Sequence, residues 1–120
     1  MKNEVIIDGE VYTLKSKIKE SAKTKKKMKY CIVRTYSAGV FSGYLESRKG
    51  KEVIMRDVRK LWYWDGAATL SQLAMEGVSK PNTCKFPCEV DKIELLEAIE
   101  ILDCTETARE SIASVPVWKE

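Results

Sequence analysis

From Tyr30 to Trp64 the chain is rich in β-branched and aromatic residues, broken only at Ser37-Ala38-Gly39 and at Lys49-Gly50. That pattern admits little besides consecutive strands. Tyr30 to Tyr36 reads as the first, Val40 to Arg48 as the second and Lys51 to Trp64 as the third, with Lys49-Gly50 as a two-residue hairpin loop. With that loop as the centre, Leu45 faces Ile54 and Phe41 faces Val58 on one side of the sheet, while Val40, Tyr44, Val53 and Met55 fall on the other. Both faces are then partly apolar, and such a sheet needs cover from a helix, a second sheet or another subunit.

The flanks supply that cover in part. Ala68 to Glu76 reads as a helix, with Thr69 and Gln72 as a capping box, Leu70, Leu73 and Ala74 as the apolar stripe, and Gly77 at the C′ position. Ser79 to Pro87 reads as a loop, and Val90 to Leu102 as a strand pair or one long bent strand. Thr107 and Glu110 would cap a short final helix ending near Ser114, followed by the extended tail Val115 to Trp118. The expected fold class is α+β and β-rich. It is an antiparallel meander with one capped helix after the third strand and a short C-terminal helix, completed by oligomerisation. Residues 1–28 are expected to form a small hairpin, Val5 to Tyr12 around Asp8-Gly9, and a lysine-rich tether over Lys15 to Lys27; residues 29–120 form the globular domain.

The chain has no histidine. That removes Ser-His-Asp and Cys-His nucleophile systems and the usual histidine-ligated catalytic metals, and no remaining pair of carboxylates, lysines, tyrosines or thiols stands at a diagnostic spacing. No catalytic residue, cofactor or metal is therefore expected. Cys84 and Cys88 resemble half of a zinc site, but Cys31 and Cys104 form no matching knuckle, so the four thiols are read as small buried hydrophobes in a reducing compartment. No segment has the apolar length of a membrane span, and the N-terminal residues do not read as a signal peptide, so no membrane partner is expected. Between Lys15 and Lys29 stand eight lysines against the single acid Glu20. Lys23 to Lys29 lacks aromatics and periodic apolar residues, so a solvated linker is preferred to a nucleic-acid site.

The segment from Arg34 to Gln72 collects what a binder of a flat anion would use. Arg34, Arg56 and Arg59, with Arg48, offer guanidinium forks, and Tyr36, Trp62 and Trp64, with Tyr63, offer stacking faces. Ser37 and Gly39 sit in one small-residue turn. Gly66 precedes the Thr69-capped helix, whose start would favour an anion. In the expected register Gly39 and Gly43 lie close to Arg34 and Arg56 and keep that face open. Arg34, Tyr36 and Ser37 are assigned to phosphate or ribose, Trp62 and Trp64 to base stacking, and Gly66 and Thr69 to the anion. Singly, each of these residues has a structural explanation; their crowding is what suggests a pocket.

"RTYSAGVFSGYLESRKGKEV" at 34–53, "RKLWYWDGAATLSQLAMEGV" at 59–78 and "KFPCEV" at 85–90 resemble a family of small uncharacterised proteins of tailed bacteriophages and prophages. The resemblance spans about Lys29 to Trp118 and brings no activity with it. It implies a phage-encoded protein of the host bacterial cytoplasm. By analogy of role, small accessory proteins of that kind often evade host defence, some as oligomers that sequester nucleotide-derived immune signals. The leading expectation is thus a homo-oligomeric, non-enzymatic sponge for a small anionic nucleotide. Its rivals are a protein-binding inhibitor or assembly factor acting on a host defence protein, a nucleic-acid binder using the lysines, and, ranked last, a small hydrolase or lyase using Glu and Lys.

Overall fold

A computed structural model describes residues 20–120. The hairpin expected over Val5 to Tyr12 lies outside the described residues. Five strands and two helices follow in the order β1 (Lys29–Thr35), β2 (Val40–Lys49), β3 (Glu52–Lys60), α1 (Leu70–Glu76), β4 (Val90–Leu95), β5 (Ala98–Asp103) and α2 (Glu106–Ser114). All neighbouring strands are antiparallel, in the spatial order β4-β3-β2-β1-β5. The fold is the expected β-rich antiparallel sheet with a capped helix after the third strand and a short C-terminal one, but only β1 to β4 form a meander, since β5 returns to pair with β1.

The expected strand pair over Val90 to Leu102 exists, but its members stand at opposite edges of the sheet. In a flat sheet those edges would lie four strand spacings apart, about 19 Å. The link Leu96-Glu97 covers three Cα steps, about 10 Å at most. The sheet must therefore roll. The rolled end is tied where the Ala98 amide donates to Lys51 O at 3.0 Å and the Tyr36 amide donates to Glu97 O at 2.9 Å. Inside the roll, Cys31, Val33, Phe41, Val53, Met55, Val58 and Leu95 form one core. Outside, α1, α2 and the loop around Phe86 cover β1 and β2 with a second core containing Tyr30, Ile32, Leu61, Leu73, Phe86 and Ile112.

The register differs from the expected one. The hairpin turn is Gly50-Lys51, one residue later, because Lys49 pairs with Glu52 and Gly50 takes the positive φ of 61°. Leu45 faces Met55, not Ile54, and Phe41 faces Lys60, not Val58; Val53 and Met55 share the barrel interior with Phe41. Two irregularities cause this, an extra residue on β2 at Glu46 and another on β3 at Asp57, where φ is +50°. The second has a large consequence. Alternation from Val53 and Met55 would carry Asp57 and Arg59 into the barrel, whereas the bulge turns Val58 inward and Arg59 out towards α2. Gly43 is required opposite it, since a Cβ there would stand 3.0 Å from Arg56 O and 3.1 Å from Val58 Cα. Gly43 therefore faces β3 backbone and opens no face.

The third strand ends at Lys60, short of Trp64; beyond it only Tyr63 pairs, in a single bridge with Lys85. Helix α1 carries the expected cap, Thr69 Oγ1 accepting from the Gln72 amide at 3.0 Å, although the Gln72 side chain returns to the Ala68 amide instead of Thr69. The last helix begins earlier than expected. Its cap is Thr105, not Thr107, because the Thr105 hydroxyl accepts from the Ala108 amide at 3.0 Å while donating to Met75 O at 2.7 Å, which docks α2 on α1.

Of the expected lysine tether, residues 15–19 lie outside the described residues. From Glu20 the chain runs against α2 and β5 as a strap. The Ala22 amide donates to Cys104 O, the Glu106 amide to Glu20 O, and the Lys23 amide to Glu106 Oε1 at 2.8 Å. The Arg109 guanidinium, then the Lys23 amide, hold the Glu106 carboxyl down at about 2, below its ordinary 4.5. A depressed carboxylate contributes stability that is complete above its unfolded value and is lost as pH falls through the folded one. The hold on the strap should therefore weaken between pH 4.5 and 2. Amide exchange should report it: Lys23 loses protection in that window while the barrel amides of Val33 and Met55 keep theirs. Unchanged Lys23 protection down to pH 2 would contradict the assignment.

Candidate functional site

Between the strap, the outer face of the sheet and α2 lies a hollow of about 400 Å³. Its size is in the range of small-ligand pockets. Tyr30 and Tyr44 come from paired positions on β1 and β2 and meet edge to face, ring centroids 5.1 Å apart. The Tyr30 hydroxyl donates to Ser42 Oγ at 3.1 Å, and burial pushes its pKa well above the ordinary tyrosine range, so it stays protonated. Lys25 of the strap lies 5.7 Å from the Tyr44 ring centroid and pairs with Asp57, the bulge residue, which raises the lysine's pKa. From α2, Arg109 reaches the wall already paired with Glu106. Glu89, Ile112, Ala113, Val115 and Val117 also line it.

Arg59 lies at the centre of the arrangement. It is 7% exposed, and its guanidinium donates only to main-chain carbonyls: Nε to Pro87 O at 3.0 Å, Nη1 to Ile112 O at 2.9 Å and Nη2 to Phe86 O at 3.2 Å. Five N–H groups and three bonds leave two donors. No carboxylate among the described residues forms an ion pair with it, Glu89 included. Burial lowers its pKa, the direction expected for a cation without a counter-ion. With Lys25 and Arg109 neutralised by their own carboxylates, the hollow presents one buried cation whose charge is balanced only at longer range.

The residues expected to form one pocket are spread over the molecule. Arg59 alone of them lines this hollow. Arg56 pairs with Glu46 and lines a separate groove, and Arg34 pairs with Glu100 at 2.8 Å across β1 and β5. Tyr36, 76% exposed, and Ser37 sit in the turn after β1, and Gly39 there packs against Lys60. Trp64 is half-buried against the outer core. Trp62 is 54% exposed and stacks on Trp118, centroids 4.9 Å apart, with Lys85 Nζ 5.7 Å from its ring. Gly66 is filled by its own protein: its φ is +91° and a Cβ would fall 2.6 Å from the Ser79 and Lys80 amide nitrogens. Thr69 caps its helix.

Lys25, Tyr30, Tyr44, Asp57, Glu89 and Arg109 were not anticipated as lining. Tyr30 and Tyr44 carried a signal, since they fall opposite each other once β1 and β2 are paired. Asp57 carried none, because a bulge at a non-glycine residue leaves no mark in the residue pattern. Cys31, Cys84 and Cys104 are buried and Cys88 is exposed; among the described residues no three His, Cys, Asp or Glu side chains gather as a metal site. No helix among the described residues is long and apolar enough to cross a membrane.

One family model, described as a domain of unknown function, matches residues 28–112, which contain every strand and all of α1. No curated protein and no solved structure matches the chain.

Proposed function

We propose that this chain, which belongs to the family described as Domain of unknown function (DUF6948), binds a small anionic ligand in the hollow beneath the strap and does not transform it. The supporting observation is Arg59, a buried guanidinium with two unused donors and no ion-pair partner among the described residues. A phosphate or carboxylate entering the hollow would gain a charge-assisted hydrogen bond from a largely buried guanidinium. Tyr44 offers a flat apolar wall for the rest of the ligand. A nucleotide-like molecule meets both demands. The resemblance to phage and prophage proteins makes sequestration of a nucleotide-derived immune signal in a bacterial cytoplasm the role such binding would serve. Homo-oligomerisation belongs to the same reading and is suggested by the exposed Tyr36, Leu96 and Ile99 at the rolled end of the barrel.

Isothermal titration against inorganic phosphate, AMP, ADP-ribose and a cyclic dinucleotide tests the reading. At least one phosphate-bearing member should saturate at one per chain. Lys25→Ala and Tyr44→Ala should each weaken it about tenfold, equivalent to about 1.4 kcal/mol. No heat with any of the four, from a folded sample, overturns it.

A protein-binding role is favoured by a different observation. Trp62, Tyr63, Val117 and Trp118 are exposed beside one another around Lys85, and aromatic clusters of this kind anchor protein interfaces. In that case Trp62→Ala with Trp118→Ala abolishes capture of a host protein and leaves the titrations unchanged.

A further inference from the structure

The lysine tract contributes only Lys25 to the hollow, and its neighbours have a conformation that a solvated linker does not need. Lys25 and Met28 exchange both main-chain hydrogen bonds, at 2.8 and 3.0 Å, around a two-residue turn. Lys26 has φ 51° and Lys27 has φ 67°. Two successive left-handed residues are the requirement of a type I′ turn, which Asn-Gly fulfils without strain and two lysines do not. Strained backbone of this kind persists where the side chains serve a purpose. Both lysines are exposed. They rim an open groove of about 820 Å³ whose other charged groups are Lys25, Arg56, Glu46, Asp57 and Asp91, so cations outnumber carboxylates by one. Glu46 is paired with Arg56 and Asp57 with Lys25, and Lys26 and Lys27 form no ion pair among the described residues, with Asp91 or any other carboxylate. The strap's bonds to Cys104 and Glu106 fix the turn on the body of the protein.

We infer that the Lys26-Lys27 turn is a contact point for the phosphodiester backbone of nucleic acid. Two adjacent ammonium groups carried on a held turn at the rim of an open groove suit a repeating phosphate chain better than a single small anion. The groove lining has no aromatic side chain, so binding would be indifferent to base sequence. A membrane surface fits less well, because Met28 is half-buried and the turn offers no apolar residue for insertion. The groove shares Lys25 and Asp57 with the hollow, but the inference rests on Lys26 and Lys27, which do not line the hollow.

The test is fluorescence anisotropy of the full chain with a labelled random-sequence duplex over a salt series, compared with the double variant Lys26→Asn, Lys27→Gly. That variant keeps the turn and relieves its strain, so its Tm should rise while its affinity at low salt falls about tenfold or more. The slope of log K against log salt should become shallower by about 2, for two lost phosphate contacts. Lys26→Arg with Lys27→Arg should retain binding. The inference is overturned if the full chain does not bind, if the Asn-Gly variant binds with unchanged affinity and slope, or if anionic phospholipid vesicles are retained in preference to the duplex.

Discussion

Arg59→Met should lower the unfolding free energy by about 2–3 kcal/mol, read as a fall in the urea midpoint at unchanged slope. Methionine fills much of the same volume, so the loss reports hydrogen bonding more than packing. Three carbonyls accept from this one fork: Pro87 O, for which it is the one donor found among the described residues, Phe86 O, which also accepts from the Trp118 amide, and Ile112 O at the end of α2, which also accepts from the Val115 amide. An orphaned buried carbonyl costs about 1–3 kcal/mol, and the loop and helix end can relax to recover part of it. Arg59→Lys should fall between, because an ammonium supplies charge but not the planar fork that reaches three acceptors. Both variants should lose affinity for the anionic ligand. A change under about 1 kcal/mol in Arg59→Met would mean that the carbonyls find water and that Arg59 is not what joins these elements.

Phe86→Ala should be more severe, about 3–5 kcal/mol. The ring is fully buried in the outer core. The Arg59 guanidinium lies 5.5 Å from its centroid. The residue also holds the tail, through its parallel bridge to Val117 and the Trp118 amide donating to Phe86 O at 2.9 Å. Emptying the site leaves a cavity and loosens that attachment, so Trp62 and Trp118 should lose their 4.9 Å stacking and their fluorescence should shift to the red. Because Phe86 and Arg59 act on the same loop, the double variant should lose less than the sum of the two single losses. Full additivity, measured by the same denaturation, would show that they stabilise separate parts.

What could be read in advance was local. The strand run from Tyr30, the turn at Gly39, the Thr69 cap and the Gly77 stop each follow from residue types acting on their own neighbours, and each is present. The roll of the sheet was not legible, because Leu96-Glu97 looks like a hairpin link until β4 and β5 are known to occupy opposite edges. The bulge at Asp57 was not legible either, and it decides the site, since one extra residue changes which side of the sheet Arg59 occupies. The expectation of Arg59 as a ligand residue stands as a proposal with different neighbours. Arg34 and Arg56 were chosen by the same logic of exposed guanidinium groups, but strand neighbours supplied them with Glu100 and Glu46. Residue type alone does not say which arginine keeps its charge uncompensated; that depends on who stands opposite.

The most direct test of the proposed site is a titration followed by NMR of the arginine Nε–H resonances, using the phosphate-bearing compound that binds best by calorimetry. The Arg59 resonance should move and saturate at one ligand per chain, with smaller shifts at Arg109 and at the Tyr44 ring. Saturation with the shifts confined to Lys26, Lys27, Trp62 or Trp118, and Arg59 unmoved, would place the ligand elsewhere and remove the hollow from the account.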